Sequence, residues 1–174
     1  LNDFRVLIAG EKQGHIHLTF PNPAWSDAQK ARWAKINTFE WLPGRYFCYL
    51  DVDTRVQRDI RHGFNVVNNG FDMALALSDH QGSEAFWHVS DDERRFMRWH
   101  YSNAVQYQGG VFFVAKNKRT RAFFQAWADE WLRWQGEDQG AFVRALRRVP
   151  LKLWLLGRPW NGGAVINHLF GRTR

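Results

Sequence analysis

Two aspartates spaced i and i+2, Asp51 and Asp53, follow the run Tyr46-Phe47-Cys48-Tyr49-Leu50 and precede Thr54-Arg55. A continuous apolar run of this length reads as a buried strand, and such strands commonly deliver polar residues to a site at their C-terminal ends. Two carboxylates placed there repel each other unless a cation or a shared proton offsets the charge. Hard oxygen donors favour magnesium or manganese, either of which bridges phosphate oxygens. The plainer reading is two acids capping a turn.

Other residues repeat the theme of chemistry at element ends. Asp79 closes the apolar stretch Met73 to Leu77, Gly109-Gly110 precede Val111 to Ala115, and Asp138-Gln139 open a helical pattern. Glycines beside a site let backbone approach a ligand closely. Each candidate has a structural alternative. Lys35 shares its segment with Lys30 and Arg32, which read as solvated cations. Asp138 would favour a helix N-terminus electrostatically without any substrate. His168 is one of seven histidines, and a lone histidine is more often structural than a ligand.

The elements that must position these residues follow from periodicity. Phe4 to Ala9 and His15 to Phe20 read as short strands, and Pro21-Asn22-Pro23 breaks the pattern. Ser26-Asp27 starts a helix running to about Leu42, where Pro43-Gly44 stops it. After the Asp51 strand, Val56 to Ile60 reads as a helical turn and Asn68-Asn69-Gly70 as a chain reversal. Met73 to Leu77 is a strand. Ser90 with Glu93 three residues on forms a capping box opening a helix to His100. Val111 to Ala115 is a strand, Arg119 to Trp134 an amphipathic helix, Glu137 to Arg148 a further helix, and Leu151 to Leu156 a last strand before a glycine-rich tail. Strands alternating with helices predict an α/β layered sheet, and 174 residues suit one domain, 1–174, with a full core.

Composition narrows the functional classes. The chain has 14 Phe and 10 Trp, a net charge of +7 and a pI near 10.0. The charge suits an anionic partner, including acidic glycan or membrane surface. Nucleic-acid binding would require aromatics interleaved with Arg and Lys on an exposed strand face, whereas most aromatics here fall at helical spacing, so no nucleic acid is expected. Cys48 is the only cysteine, which excludes a disulfide framework. No apolar run approaches ~18 residues, so no transmembrane segment is expected. With no signal-peptide pattern either, the expected location is cytoplasmic, peripheral to a membrane.

Two enzyme families place Asp-x-Asp after a buried strand. The haloacid-dehalogenase-like phosphatases read as apolar residues, Asp-x-Asp and Thr, as does Asp51-Val52-Asp53-Thr54, with Asp51 as nucleophile and Asp53 as general acid. That mechanism needs a later acidic pair after a strand. The downstream pair, Asp91-Asp92, lies instead in a helix start without the expected glycines. From Lys35 to Gly171 the sequence resembles GT-A-fold glycosyltransferases, most closely the retaining family of glycogenins and lipopolysaccharide galactosyltransferases. The matches, in order, are Lys35, Tyr49-Leu50-Asp51-Val52-Asp53-Thr54, Asp79, Gln108-Gly109-Gly110-Val111, Asp138-Gln139 and His168-Leu169-Phe170-Gly171.

The resemblance implies a single Rossmann-like GT-A domain with a mixed, mostly parallel sheet flanked by helices. Only 50 residues precede Asp51, so the domain reads as N-terminally shortened. It implies a metal-dependent glycosyltransferase, retaining by resemblance alone, with a UDP-sugar donor favoured. Asp51, Asp53 and His168 would hold Mn2+ (or Mg2+). Lys35, Asp79, Gln108, Gly109 and Gly110 would line the donor site, with Asp138 and Gln139 as catalytic residues near the anomeric carbon. Gln108 stands where the family has Asn. The acceptor is unidentified, and the basic charge points to an anionic glycan. The remaining alternatives are the phosphatase, a nucleotidyltransferase for which Gly10-Glu11-Lys12-Gln13-Gly14 is a thin phosphate loop, and a non-catalytic GT-A-like binding domain.

Overall fold

The computed structural model describes residues 18–82, 85–86 and 88–170. Ser26 caps helix α1 (Asp27–Ile36) through a complete capping box with Gln29. The expected single helix to Leu42 is two: Asn37 leaves helical geometry, ending α1 and starting α2 (Thr38–Trp41). Then come β1 (Tyr46–Leu50), β2 (Thr54–Val56), α3 (Arg61–Asn68), β3 (Met73–Leu77), α4 (Asp91–Tyr101) and β4 (Tyr107–Ala115). The chain continues with α5 (Lys118–Leu132), α6 (Asp138–Arg148), β5 (Leu153–Leu156), a 3-10 turn (Arg158–Trp160) and β6 (Ile166–His168).

The helical turn expected at Val56 to Ile60 is not formed. Thr54–Val56 is extended because it pairs antiparallel with β6, Thr54 opposite His168, and the helix begins only at Arg61. The strand expected at Phe4 to Ala9, and His15 to His17 of the second, lie outside the described residues. Leu18 to Phe20 carry no strand pairing. The capping box expected at Ser90 is half made. Its hydroxyl accepts from the Glu93 backbone, but the Glu93 carboxylate turns away to Arg144.

The main sheet has the order β1-β4-β3-β5. β4 runs antiparallel to both β1 and β3, and β5 runs parallel to β3, so three strands point one way and β4 is reversed between two of them. This is the mixed sheet, mostly parallel in strand direction, that the sequence predicts. Side chains alternate across it with period two. Phe112 and Val114 of β4 pack with Phe47, Phe123, Phe124 and Trp127 under α5 and α6, while Val111 and Phe113 pack with Val66, Val67 and Ile166 against α3. The aromatic richness therefore serves largely as core: Trp127 and Trp131 are fully buried. No helix among the described residues is long and apolar enough to cross a membrane.

Strand direction places the chemistry. β1 and β3 end at one edge of the sheet, delivering Asp51 and then Ser78-Asp79, and the reversed β4 begins there with Tyr107-Gln108-Gly109-Gly110. α6 starts at the same edge. Trp127 donates its indole N–H to the Asp138 carbonyl at 3.0 Å and Trp131 donates to the Gly136 carbonyl at 2.9 Å, so two buried aromatics fix the start of α6.

Candidate active site

Asp51 continues the β1 ladder: its N–H donates to the Gly110 carbonyl at 2.8 Å. Its own carbonyl accepts from both the backbone N–H (3.0 Å) and hydroxyl (2.6 Å) of Thr54, closing the turn that carries Asp53. The β2–β6 pairing and a bond from Leu169 N–H to the Asp53 carbonyl (3.0 Å) then bring His168 against this turn. His168 Nε2 lies 3.1 Å from Asp53 Oδ1 and 3.9 Å from Asp51 Oδ2. One ligand atom from each of Asp51, Asp53 and His168 falls within 4.8 Å of the others.

Two features suit this trio to a cation. His168 Nδ1 is 2.6 Å from Asn161 Oδ1, and a carbonyl oxygen can only accept, so Nδ1 donates and Nε2 is turned toward the two carboxylates. An outer hydrogen bond of this kind fixes the ring orientation of metal-ligating histidines. The second is Gly110. A Cβ there would sit 2.7 Å from His168 Nδ1 and 2.8 Å from Asp51 Oδ2, so the cluster closes only over a bare backbone. Two carboxylates and an imidazole form a donor set that accepts a divalent ion and leaves positions for phosphate oxygens.

Lys35 joins this cluster to a second one. Its ammonium is 3.2 Å from Asp51 Oδ1 and 3.0 Å from Asp138 Oδ2, and it lies over the Tyr49 ring, 5.4 Å from the centroid. Burial, the largest influence, acts to lower its pKa, but the carboxylates of Asp138 and Asp51 together outweigh it, so Lys35 is held above its usual value and stays charged. The Tyr49 hydroxyl donates to Asp51 Oδ1 at 2.9 Å, and burial pushes its pKa up, keeping it a neutral donor.

These groups open on a cleft of about 820 Å³. Of the residues singled out in the sequence, Lys35, Asp51, Asp79, Gln108, Gly109, Gly110, Asp138, Gln139 and His168 all line it, and Asp53 reaches it through His168. Asp79 lies toward the outer side, 3.8 Å from Arg158. Asp91 and Asp92, the acidic pair a phosphatase would need, sit on α4, pair with Arg94 and Arg95, and do not line the cleft.

Sequence reasoning missed Tyr49, Asn161 and Phe170 as site residues. Tyr49 carried a usable signal, since strand periodicity puts it on the same face as Asp51. Asn161 sits seven residues before His168 in an irregular segment and had none. The Phe170 ring stacks on His168 with centroids 4.2 Å apart.

A family model for nucleotide-diphospho-sugar transferases matches residues 27–166, which include the elements that build the cleft up to the start of β6; His168 and Phe170 lie just beyond the match. The chain belongs to that family. No curated protein sequence matches the chain. Among solved structures, the apo form of mouse xyloside xylosyltransferase 1 is similar, with a TM-score of 0.52 and 17% identity over 77% of this chain. The likeness is one of fold, a GT-A-type nucleotide-sugar transferase architecture. The match spans 53% of that enzyme's chain, so this nucleotide-diphospho-sugar transferase domain corresponds to about half of it.

Proposed function

We propose that this domain transfers a sugar from a nucleotide-diphosphate sugar, UDP-linked, to a glycan acceptor, using Mn2+ or Mg2+ held by Asp51, Asp53 and His168. The observation that carries the proposal is the meeting of these three ligands within 4.8 Å beside a large cleft at the strand ends, in a member of the nucleotide-diphospho-sugar transferase family. A phosphatase reading has no comparable support, because its second acidic pair lies away from the cleft.

The bound ion would supply a positive centre against the leaving diphosphate, so no strong protein acid is needed. The protein's residues do the rest. Asn161 and the β2–β6 pairing hold His168, Gly110 makes room for the cluster, and Tyr49 and Thr54 fix Asp51. Lys35 is close enough to serve the diphosphate or the donor sugar while holding Asp138 in place. Asp138 and Gln139, in the first turn of α6, are assigned to the donor sugar, with Gln139 nearest the anomeric carbon. Asp79 and Gln108 would take sugar hydroxyls, and Gly109 leaves the backbone open to the ligand. Retention of configuration rests on the family resemblance alone. The net charge of +7 suits an acceptor glycan bearing anionic groups, and a location at the cytoplasmic face of a membrane, where anionic lipid concentrates.

The test is a calorimetric and thermal-shift screen of UDP-, GDP- and other sugar nucleotides with and without Mn2+. One nucleotide should stabilise the protein only with the ion present, and Asp53→Ala should lose that stabilisation. Equal nucleotide binding with and without Mn2+, or in Asp53→Ala, would refute the assignment.

A further inference from the structure

The turn that leads into Asp138 carries a strained residue. α5 ends at Leu132, and the N–H groups of Trp134 and Gln135 both reach back to the Trp131 carbonyl, at 3.1 and 2.7 Å. Gln135 closes the turn at φ 52°, the left-handed conformation in which helix ends usually place glycine. Gly136 stands next to it, yet the glutamine takes the position. Strain of this kind persists only where the surroundings over-determine it, and such places cluster at ligand sites.

The surroundings of Gln135 are specific. Its Oε1 accepts from the indole N–H of buried Trp25 at 2.9 Å, and its carbonyl accepts from Gln29 Nε2 at 3.2 Å. Gln29 is also the residue that completes the cap of α1. Further along α1, Arg32 pairs with Glu137, and Lys35 pairs with Asp138 at 3.0 Å. The contacts run in register: Trp25 and Gln29 meet Gln135, Arg32 meets Glu137, and Lys35 meets Asp138. From the other side Trp131 and Trp127 fix the Gly136 and Asp138 carbonyls, and Trp25 packs edge-on against Trp131 with centroids 5.2 Å apart. Gln135 is where this turn is joined to the start of α1. A glycine in its place would close α5 without strain and lose the link to Trp25. The metal side is held differently, through the β1–β4 and β2–β6 pairings.

We propose that Gln135 is a positioning residue for the donor sugar. By locking the turn to Trp25 it keeps α1 and the start of α6 in the register at which Lys35 meets Asp138, so the sugar side of the cleft is preformed. The proposal rests on the donor reading above and deepens it. The sugar's share of donor affinity depends on Gln135, whereas the diphosphate's share depends on the ligands of the ion.

The test is calorimetry on the full chain with Mn2+ present, comparing UDP with UDP-glucose, UDP-galactose, UDP-xylose and UDP-N-acetylglucosamine. The UDP-sugar that the wild type binds most tightly sets a reference ratio, the Kd for UDP over the Kd for that UDP-sugar. Gln135→Gly should lower the ratio roughly fivefold or more, the weight of one hydrogen bond, while the Kd for UDP stays within about threefold. Its Tm should stay within about 4 °C of wild type, because relief at the left-handed position offsets the lost bond. Gln135→Asn gives the same test, since asparagine adopts this conformation but falls one methylene short of Trp25. Gln135→Glu retains an acceptor oxygen at the same reach and should keep the ratio within about twofold. A role confined to closing α5 would leave the ratio unmoved in all three. An unchanged ratio in Gln135→Gly and Gln135→Asn, an equal loss of UDP and UDP-sugar affinity, or a loss in Gln135→Glu as large as in Gln135→Gly would each overturn the proposal. Binding of UDP but of no UDP-sugar would overturn it and leave the metal site standing. Absence of Mn2+-dependent UDP binding by the wild type would bring down the donor reading and this one together, a pattern distinct from the others.

Discussion

Gly110→Ala is the sharpest perturbation the site offers, because one methyl group would meet two of the three proposed metal ligands. The new Cβ would meet His168 Cε1 most closely of all, and would lie 2.8 Å from Asp51 Oδ2 and 2.7 Å from His168 Nδ1. Ordinary contact begins at 3.4 Å, so the carboxylate must retreat by 0.6 Å and the imidazole by more than the 0.7 Å its nitrogen requires, because its Cε1 is nearer still. Neither has free travel. Asp51 is tied to Tyr49, Thr54 and the Gly110 carbonyl itself, and His168 is pinned between Asn161 and the Phe170 ring. Overpacking of this kind costs about 1–3 kcal/mol, a fall in Tm of roughly 2–12 °C for a chain of this length. Displaced ligands should also lose on the order of 10–100-fold in Mn2+ affinity, the range seen when support around a metal site is disturbed. The neighbouring glycine is the internal control. At Gly109 a Cβ would meet Asp138 Oδ2 at 3.5 Å and Lys35 Nζ at 3.6 Å, both ordinary contacts. Gly109→Ala should therefore keep Mn2+ affinity within about threefold, and its Tm should hold or rise, since replacing a strand glycine recovers roughly 0.5–1 kcal/mol. Calorimetric Mn2+ titration and thermal melting of both variants give the comparison. Equal Mn2+ affinities in Gly110→Ala and wild type would refute the placement of the cation over Gly110.

Two further substitutions test the supports of the site. Asn161→Ala removes the acceptor that orients His168 and should weaken Mn2+ binding by about 10–100-fold, measured by calorimetry; unchanged affinity would sever Asn161 from the metal. Arg144, 1% exposed, bonds to Glu93 at 2.7 Å and to Glu130 at 3.0 Å, so Arg144→Met leaves two buried carboxylates without their shared partner and should cost about 3–5 kcal/mol at neutral pH. The pH dependence has a definite sign. Burial already holds the Glu93 pKa above its ordinary value, and losing Arg144 raises it further. A carboxyl whose folded pKa exceeds its unfolded one favours folding below the unfolded pKa and loses that contribution as pH rises through the folded pKa. The deficit of Arg144→Met, read by denaturant melts, should therefore shrink from pH 7.5 toward pH 5, and a deficit that grows on acidification would contradict the argument.

What the sequence disclosed and withheld follows from the range of the interactions involved. β1 was legible because five apolar residues in succession have few homes other than a strand packed on both faces, as it is here, with Phe47 buried and the other four half-buried against the two cores. α1 was legible from its cap, since Ser26 and Gln29 satisfy each other's backbone within four residues. β2 was not, because Thr54–Val56 is extended only through pairing with Ile166–His168, more than a hundred residues on, and its own pattern of exposure is polar and short. α3 had only a displaced start signal: Ile60 precedes it with no side-chain cap, the Arg61 N–H is taken instead by Asp59 Oδ1 at 2.8 Å, and Gly63, Val66 and Val67 of the helix are buried. The site divides in the same way. Asp51 and Asp53 announced themselves by spacing after a strand, and Lys35, Asp138 and His168 by the order of their motifs. That Lys35 bridges Asp51 and Asp138, or that Asn161 steers His168, depends on three elements meeting in space.

Charge explains why those elements meet as they do. Glu137 pairs with Arg32 and Asp79 with Arg158, while Asp51 and Asp138 share Lys35 and Asp53 faces His168. A divalent ion held by Asp51, Asp53 and His168, as proposed, would add positive charge where two of these carboxylates converge. Lys35 does not stand in for that ion, because it divides its charge between Asp51 on the metal side and Asp138 on the side assigned to the sugar. The two sides are thereby electrostatically one unit. An ion drawing on Asp51, as proposed, would weaken that carboxylate's hold on Lys35 and favour the ammonium's pairing with Asp138. A diphosphate entering the cleft would meet a divalent cation on one flank and a lysine already committed to its other flank, an arrangement that neither the aspartate pair nor the lysine could provide alone.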